Sequence, residues 1–430
     1  MKAGPKKAGH RLDAGLSVLL GLAAFAAYAP LALALGQTVY SSFLNLAFDF
    51  DPAFFVRFLT SPDTPDGLGI NFKHPLWFLF RPTAWPFMAL GYEARQAAGL
   101  AMALVGAGSV SLCYGFARLL GAGRPESAAA TLFFAATSTT LFTAIIPESY
   151  GWANFSILML WCAYLYGVRS GALRWRLLVP VTLIATGVTL TNFMQGFVAG
   201  CFAPRDGAGW RDRVQTLAAL CVGVGLLVTV ILVLVQPGDV WHVLTHPVQT
   251  FKVIYWQQTK GPKVGLSTLL QTFFGYSFFA PGYTPVRLGE LVTMLDFREW
   301  RYGGLAGAAV LAWLAWLLAN VGIGLRSAQA RSVWLPLLVV VALNLLFHLS
   351  FQFRGSVYIY AAHLHFPIFA LSLAAAPLVA QRSRGVRLGY CGALCSLALA
   401  AAVANGTRAW ELVEHCRHLV VPITAPEVKP

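Results

Sequence analysis

Apolar stretches of about twenty residues, the length of helix that crosses a bilayer core, recur from 14–36 to 386–405. None of the 17 Asp and Glu falls in the middle of one. A chain so patterned folds as helices in lipid, because only helices or closed barrels satisfy their own backbone groups there. Composition agrees. The 430 residues are 57% hydrophobic and 11% charged, against roughly 25% charged in a soluble domain. The expected fold is an all-α polytopic membrane protein forming one domain over 1–430.

Spans are expected at 14–36, 95–120, 127–146, 150–168, 213–236, 303–325, 332–352, 355–380 and 386–405. The stretch 175–203 is different. As one helix it would carry Arg205, Arg211 and Arg213 outside and reverse every later span. As two half-helices meeting near Thr191-Asn192 it returns them inside. The arginines decide for the hairpin, giving 10–11 crossings or half-crossings. Inner segments then hold 17 Lys and Arg against four acids, and outer segments 14 against 13, as the positive-inside rule requires. The net charge of +14 thus marks topology and not a nucleic-acid partner. The N-terminus is expected in the cytoplasm as a retained first span, with the C-terminus outside.

The absence of mid-span acids argues against an ion-coupled transporter, which needs intramembrane carboxylates. Chemistry gathers instead in the first outer loop, 37–92. That loop contains Asp49-Phe50-Asp51-Pro52, then Lys73-His74-Pro75-Leu76, then Arg81. Phe48, Phe50, Phe54 and Phe55 suit a segment lying along the headgroups. Two carboxylates so close either share a proton or hold a cation.

This arrangement resembles the GT-C glycosyltransferases, among them protein O-mannosyltransferases and the aminoarabinose and galacturonic acid transferases of lipopolysaccharide. Those enzymes carry an Asp-Glu or Asp-x-Asp pair after the first span and a His-Pro-Pro-Leu segment downstream. Here Asp49-Phe50-Asp51 answers the first. His74-Pro75-Leu76 answers the second, without its second proline. The resemblance covers roughly the first 200 residues. It implies transfer of a sugar from a polyprenyl-phosphate donor to a lipid, glycan or protein acceptor, with inversion, on the non-cytoplasmic face. The Ala-, Gly- and Arg-rich composition is compatible with a bacterial inner membrane, so that face is expected to be periplasmic. The resemblance also implies a carboxylate general base, for which Asp51 is the candidate. Asp49 is then its partner or, with Asp51, the holder of a divalent cation. The competing function is a lipid-carrier flippase that moves the same lipid without breaking its glycosidic bond.

Further candidates lie at outer span ends. Glu148 sits in the turn between two spans, either as part of the site or as a local helix cap. Asn192 falls at the hairpin apex, where broken backbone must line a cavity or be packed in protein. Lys73, His74, Arg81 and Arg354 are candidates for the donor phosphate, Arg354 through bidentate contacts. His363 and His365 fall on different sides of a late helix, one toward the cavity and one at the interface.

The outer loop 237–302, rich in Trp, Tyr, Pro and Gly, is expected to form a lid with interfacial helices. Its His242 and His246 have helical spacing but no acid or thiol beside them. The seven cysteines form no Cys-x-x-Cys, so neither a disulfide nor a zinc framework is implied. Asn405-Gly406-Thr407 would be a glycosylation acceptor if the protein resided in a eukaryotic secretory membrane.

Overall fold

A computed structural model describes residues 7–42, 47–48, 50–61, 74, 77–170, 175–202, 210–235, 263–282, 302–352 and 357–418, shorter pieces between 241 and 252, and two strands. The chain is an all-α polytopic membrane protein. Six helices are long and apolar enough to cross a membrane: Arg11–Gly36, Ala94–Leu120, Gly304–Arg326, Ala330–Ser350, Tyr358–Val379 and Arg384–Arg417. A bent pair, Arg124–Ala136 with Ser138–Ile145, makes a seventh among the described residues.

The first helix, α1 (Lys7–Gly36), lies along α3 (Ala94–Leu120) through small residues. Ser17 Oγ donates to Ser111 O at 2.8 Å and Ser111 Oγ returns the bond to Ser17 O at 3.0 Å. A methyl group on Gly99 would stand 3.1 Å from Ala32 O. Such close backbone approach supplies the packing that lipid-facing leucines cannot, since lipid is as apolar as they are. Between α1 and α3 lies α2 (Pro52–Thr60), which carries the first loop back over the bundle.

The expected span 127–146 is not continuous. Helix α4 (Arg124–Ala136) and α5 (Ser138–Ile145) meet at 59°. Thr137 is extended between them and its hydroxyl donates to Phe134 O at 2.7 Å. The break frees backbone groups that lipid could not satisfy, and the chain supplies partners from far away. Ser138 N donates to Phe278 O at 3.2 Å and Thr139 N to Ser277 O at 3.0 Å. Asn405 Nδ2 donates to Ala136 O at 2.7 Å.

Those partners revise two expectations. Within the 237–302 loop, a short helix Leu266–Leu270 runs into a π-helical turn Gln271–Tyr276. Phe273, Tyr276, Phe278 and Phe279 there are wholly buried. This part is core and not a lid, because its apolar aromatics fill the gap that the bend opens. Further on, β1 (Thr284–Leu288) and β2 (Val292–Asp296) form an antiparallel hairpin, which the reading of interfacial helices did not anticipate. Asn405 is wholly buried, its Oδ1 accepting from Ala280 N at 2.6 Å. It is a backbone clamp and cannot meet a glycosylating enzyme in the folded chain.

Helix α6 (Ser149–Ser170) follows the bent pair. The half-helices are α7 (Trp175–Val188) and α8 (Phe193–Phe202), joined by a 3-10 turn Leu190–Asn192. Gly196 lies against Thr182 so closely that a methyl group there would be 2.3 Å from Thr182 Cγ2. In one straight helix those residues would stand about 21 Å apart, so the chain folds back as a helical hairpin. Then come α9 (Trp210–Val235), α10 (Gly304–Arg326), α11 (Leu335–Ser350), α12 (Ala361–Leu371) and α13 (Arg384–Arg417). Helix α13 runs on for three turns beyond the expected end at 405.

Charges assigned to inner loops converge at one end of the bundle. Asp13 pairs with Arg124 at 2.8 Å and Arg118 at 3.3 Å, and Glu126 with Arg387 at 2.6 Å.

Candidate active site

Asp51 stands directly before α2, with Pro52 at the first helical position, where a missing N–H costs nothing. Its own backbone N–H donates to Glu148 Oε2 at 2.8 Å, across 97 residues of sequence. The other oxygen, Glu148 Oε1, accepts from Ser149 N at 2.8 Å and Ser149 Oγ at 3.2 Å. Glu148 thus anchors the start of α6 and at the same time binds the Asp51 backbone. It is 4% exposed. Burial and then the Asp51 charge push its carboxyl well above the usual range, while the N–H donors partly oppose them.

Glu148 forms part of the wall of a narrow cavity of about 20 Å³, room for roughly one water. The rest is mostly apolar: Phe55, Phe58 and Leu59 of α2, Phe80, Trp152 and Val188. Trp152 lies one turn after Glu148 on the same face of α6 and stacks on Phe80 at 4.2 Å. The first loop is thus clasped to α6 beside the acid pair.

A second clasp joins the loop to the hairpin. His74 Nδ1 lies 2.6 Å from Val188 O, the carbonyl at the end of α7. The helix break leaves that oxygen without a helical partner, and the loop histidine takes it. His74 also meets the ring of Phe55 at 5.8 Å. Asn192, buried in the apex turn, donates through Nδ2 to Ala185 O at 3.2 Å, and its Oδ1 lies 2.7 Å from His363 Nδ1. His363 in turn meets Tyr150 edge-on at 5.6 Å, one residue from Ser149.

His363 and His365 do face opposite sides of α12, but neither lies at an interface. His365 is wholly buried, its Nε2 2.9 Å from Thr137 Oγ1 and 3.2 Å from Thr140 Oγ1 at the α4–α5 bend. The bend creates a polar spot inside the bundle that a span-end reading could not foresee. Arg81 sits in the 3-10 segment Trp77–Thr83 of the same loop, half-buried. Asp49, Lys73 and Arg354 lie outside the described residues.

Sequence reasoning missed His348, which is buried and packs against Tyr360 at 4.5 Å and His363 at 6.5 Å. Its signal was a lone ionisable residue near the end of an otherwise apolar span. No group of three His, Cys, Asp or Glu suited to a metal occurs among the described residues. Asp51 and Glu148 are the described carboxylates at this place, and both Glu148 oxygens already accept hydrogen bonds.

No family model matches the chain and no curated protein does. Among solved structures it is similar to the Archaeoglobus fulgidus oligosaccharyltransferase in the apo form, at 15% identity and TM-score 0.47 over 94% of this chain and 57% of that one. The same archaeal enzyme in complex with an inhibitory peptide and a dolichol-phosphate gives 14% and 0.48 over 94% and 56%. Its complex with Zn and sulfate gives 14% and 0.45 over 93% and 54%. The chain spans little more than half the length of these structures.

Proposed function

We propose that the protein is a GT-C-type glycosyltransferase, transferring a sugar from a polyprenyl-phosphate donor to a lipid, glycan or protein acceptor with inversion. The carrying observation is the Asp51 N–H bonded to buried Glu148 beside an aromatic-walled cavity. In this reading the Asp51 carboxylate takes the proton of the acceptor as its oxygen or nitrogen attacks the anomeric carbon. The bond from that carbon to the phosphate oxygen breaks, and polyprenyl phosphate leaves with the electron pair. Glu148 fixes the backbone that aims the base. Cationic or hydrogen-bonding groups stabilise the leaving phosphate, the candidates being Lys73, His74, Arg81 and Arg354, with Asn192 and His363 nearby. A divalent cation bound at Asp49 and Asp51 would supply further charge to that phosphate.

The site faces the periplasm of a bacterial inner membrane in this proposal. What supports the orientation is the gathering of Asp13, Arg118, Arg124, Glu126 and Arg387 at one end, where the positive-inside rule puts the cytoplasm. The test is reconstitution into liposomes with radiolabelled undecaprenyl-phosphate sugars and a membrane extract as acceptor. Release of free undecaprenyl phosphate with label passing to the acceptor is expected. Passage of intact donor to the other leaflet, without release, would establish the flippase instead.

A further inference from the structure

The approach to Asp51 makes a turn in which Phe50 N donates to Ala47 O at 3.2 Å. Phe48 occupies the second position of that turn with φ 59°. It is the one non-glycine residue with positive φ among the described residues. Bulky side chains avoid this left-handed region, where glycine and asparagine are at ease. The backbone here therefore opposes its own conformation, and something must hold it.

The Phe48 ring does so. It is 2% exposed and meets Phe142 at 5.3 Å, Tyr358 at 5.5 Å and Phe50 at 6.1 Å. Tyr358 is itself tied to Ser138, oxygen to oxygen at 2.5 Å, so the ring is seated on α5 and on the start of the Tyr358–Val379 span. Tyr40 reaches the same turn, its hydroxyl 3.5 Å from Ala47 O. Three residues after Phe48 comes the Asp51 amide that binds Glu148.

We infer that Phe48 is a positioning residue: its seated ring holds a strained left-handed turn that aims the Asp51 amide at Glu148. The inference rests on reading this loop as the reaction site. Strained residues held by their surroundings recur at such sites. Ring and backbone act in opposite directions here, and substitutions can separate them. Phe48→Ala loses the ring but keeps the Cβ penalty, so the turn relaxes. Phe48→Gly loses more side chain yet adopts the turn freely, and Phe48→Asn tolerates it.

Amide hydrogen exchange of the full-length protein in nanodiscs, read by mass spectrometry over 48–56, tests this without any substrate. In Phe48→Ala the Phe50 and Asp51 amides should exchange faster by about tenfold, as expected when a local opening replaces a held turn. Phe48→Gly and Phe48→Asn should stay within about threefold of the unmodified protein on the same scale. A ring that merely fills space predicts the reverse order, with Gly no better than Ala. That order, or no change in Ala, would overturn the inference. Failure of sugar transfer in the liposome assay would leave this exchange pattern untouched, so the two readings fail separately.

Discussion

His363 Nδ1 and Asn192 Oδ1 stand 2.7 Å apart across 171 residues of sequence, joining α12 to the apex of the helical hairpin. Gln195 Nε2 adds a bond to His363 O at 2.6 Å, and Trp161 Nε1 holds Gln195 Oε1 at 2.7 Å. The apex is thereby fastened to α6 and α12 at once. Removing either partner of the His363–Asn192 pair leaves a buried polar atom unmatched, costing about 1–3 kcal/mol. A double-mutant cycle of Asn192→Ala and His363→Ala, measured by detergent unfolding, should show coupling of about 0.5–3 kcal/mol. Simple additivity would mean that the contact does not hold the apex.

Asp51→Asn should separate chemistry from structure. The fold uses the Asp51 backbone N–H, which asparagine keeps, while a lost general base costs about 100-fold or more in rate. Turnover of the radiolabelled donor should fall by that factor with the melting temperature nearly unchanged. Near-normal turnover would move the base elsewhere, with Glu148 the next to test.

Glu148 gives the stability a pH signature. Its carboxyl is raised in the folded protein, so the folded state keeps a proton that the unfolded state surrenders above the ordinary value of 4.5. Stability therefore falls as pH rises through that value and levels off once the folded group ionises too. Glu148→Gln should melt lower overall, through its mismatched hydrogen bonds, but lose this slope. Melting curves between about pH 4 and 9 compare the two. An unchanged slope in Glu148→Gln would show that another group is responsible.

Orientation is checked by cysteines on a cysteine-free background. Leu90 is 75% exposed in the first loop and Gln381 is exposed before α13. A membrane-impermeant maleimide on intact cells should label Leu90→Cys, and Gln381→Cys only after permeabilisation. The opposite pattern would invert the proposed topology.

Most spans were legible because hydropathy and charge act at the scale of whole helices. The hairpin break near Asn192 was legible for the same reason, since the positive-inside rule applied to Arg205, Arg211 and Arg213 called for a fold-back there. The α4–α5 bend was not. Thr137-Ser138-Thr139-Thr140 is a polar run inside an apolar stretch, but threonine and serine also sit quietly in membrane helices. What tells the two apart is the presence of Phe278 and Asn405 beside it, which local sequence does not encode. The aromatics of 264–281 misled similarly, because a surface belt and a buried plug share a composition. At the candidate site, the Asp51–Glu148 contact is a product of the tertiary fold, joining residues 97 apart in sequence. The Phe48 turn was hidden because no glycine or asparagine marks it.

The clamp made by Asn405 also orders events during synthesis. Ala136 and Ser138 emerge from the ribosome long before Phe278, and Phe278 long before Asn405. Tyr28 and the Thr137 hydroxyl cover Ala135 O and Phe134 O from the start, but at 5–20 residues per second the Ser138 and Thr139 amides wait about 7 to 28 seconds for Phe278 and Ser277. The first half of the bundle must therefore sit in the membrane with a polar gap in its side until later chain arrives. A nascent chain arrested before α13 would keep Phe278 and Ala280 without their clamp, and quality-control proteases would find such an intermediate at that seam.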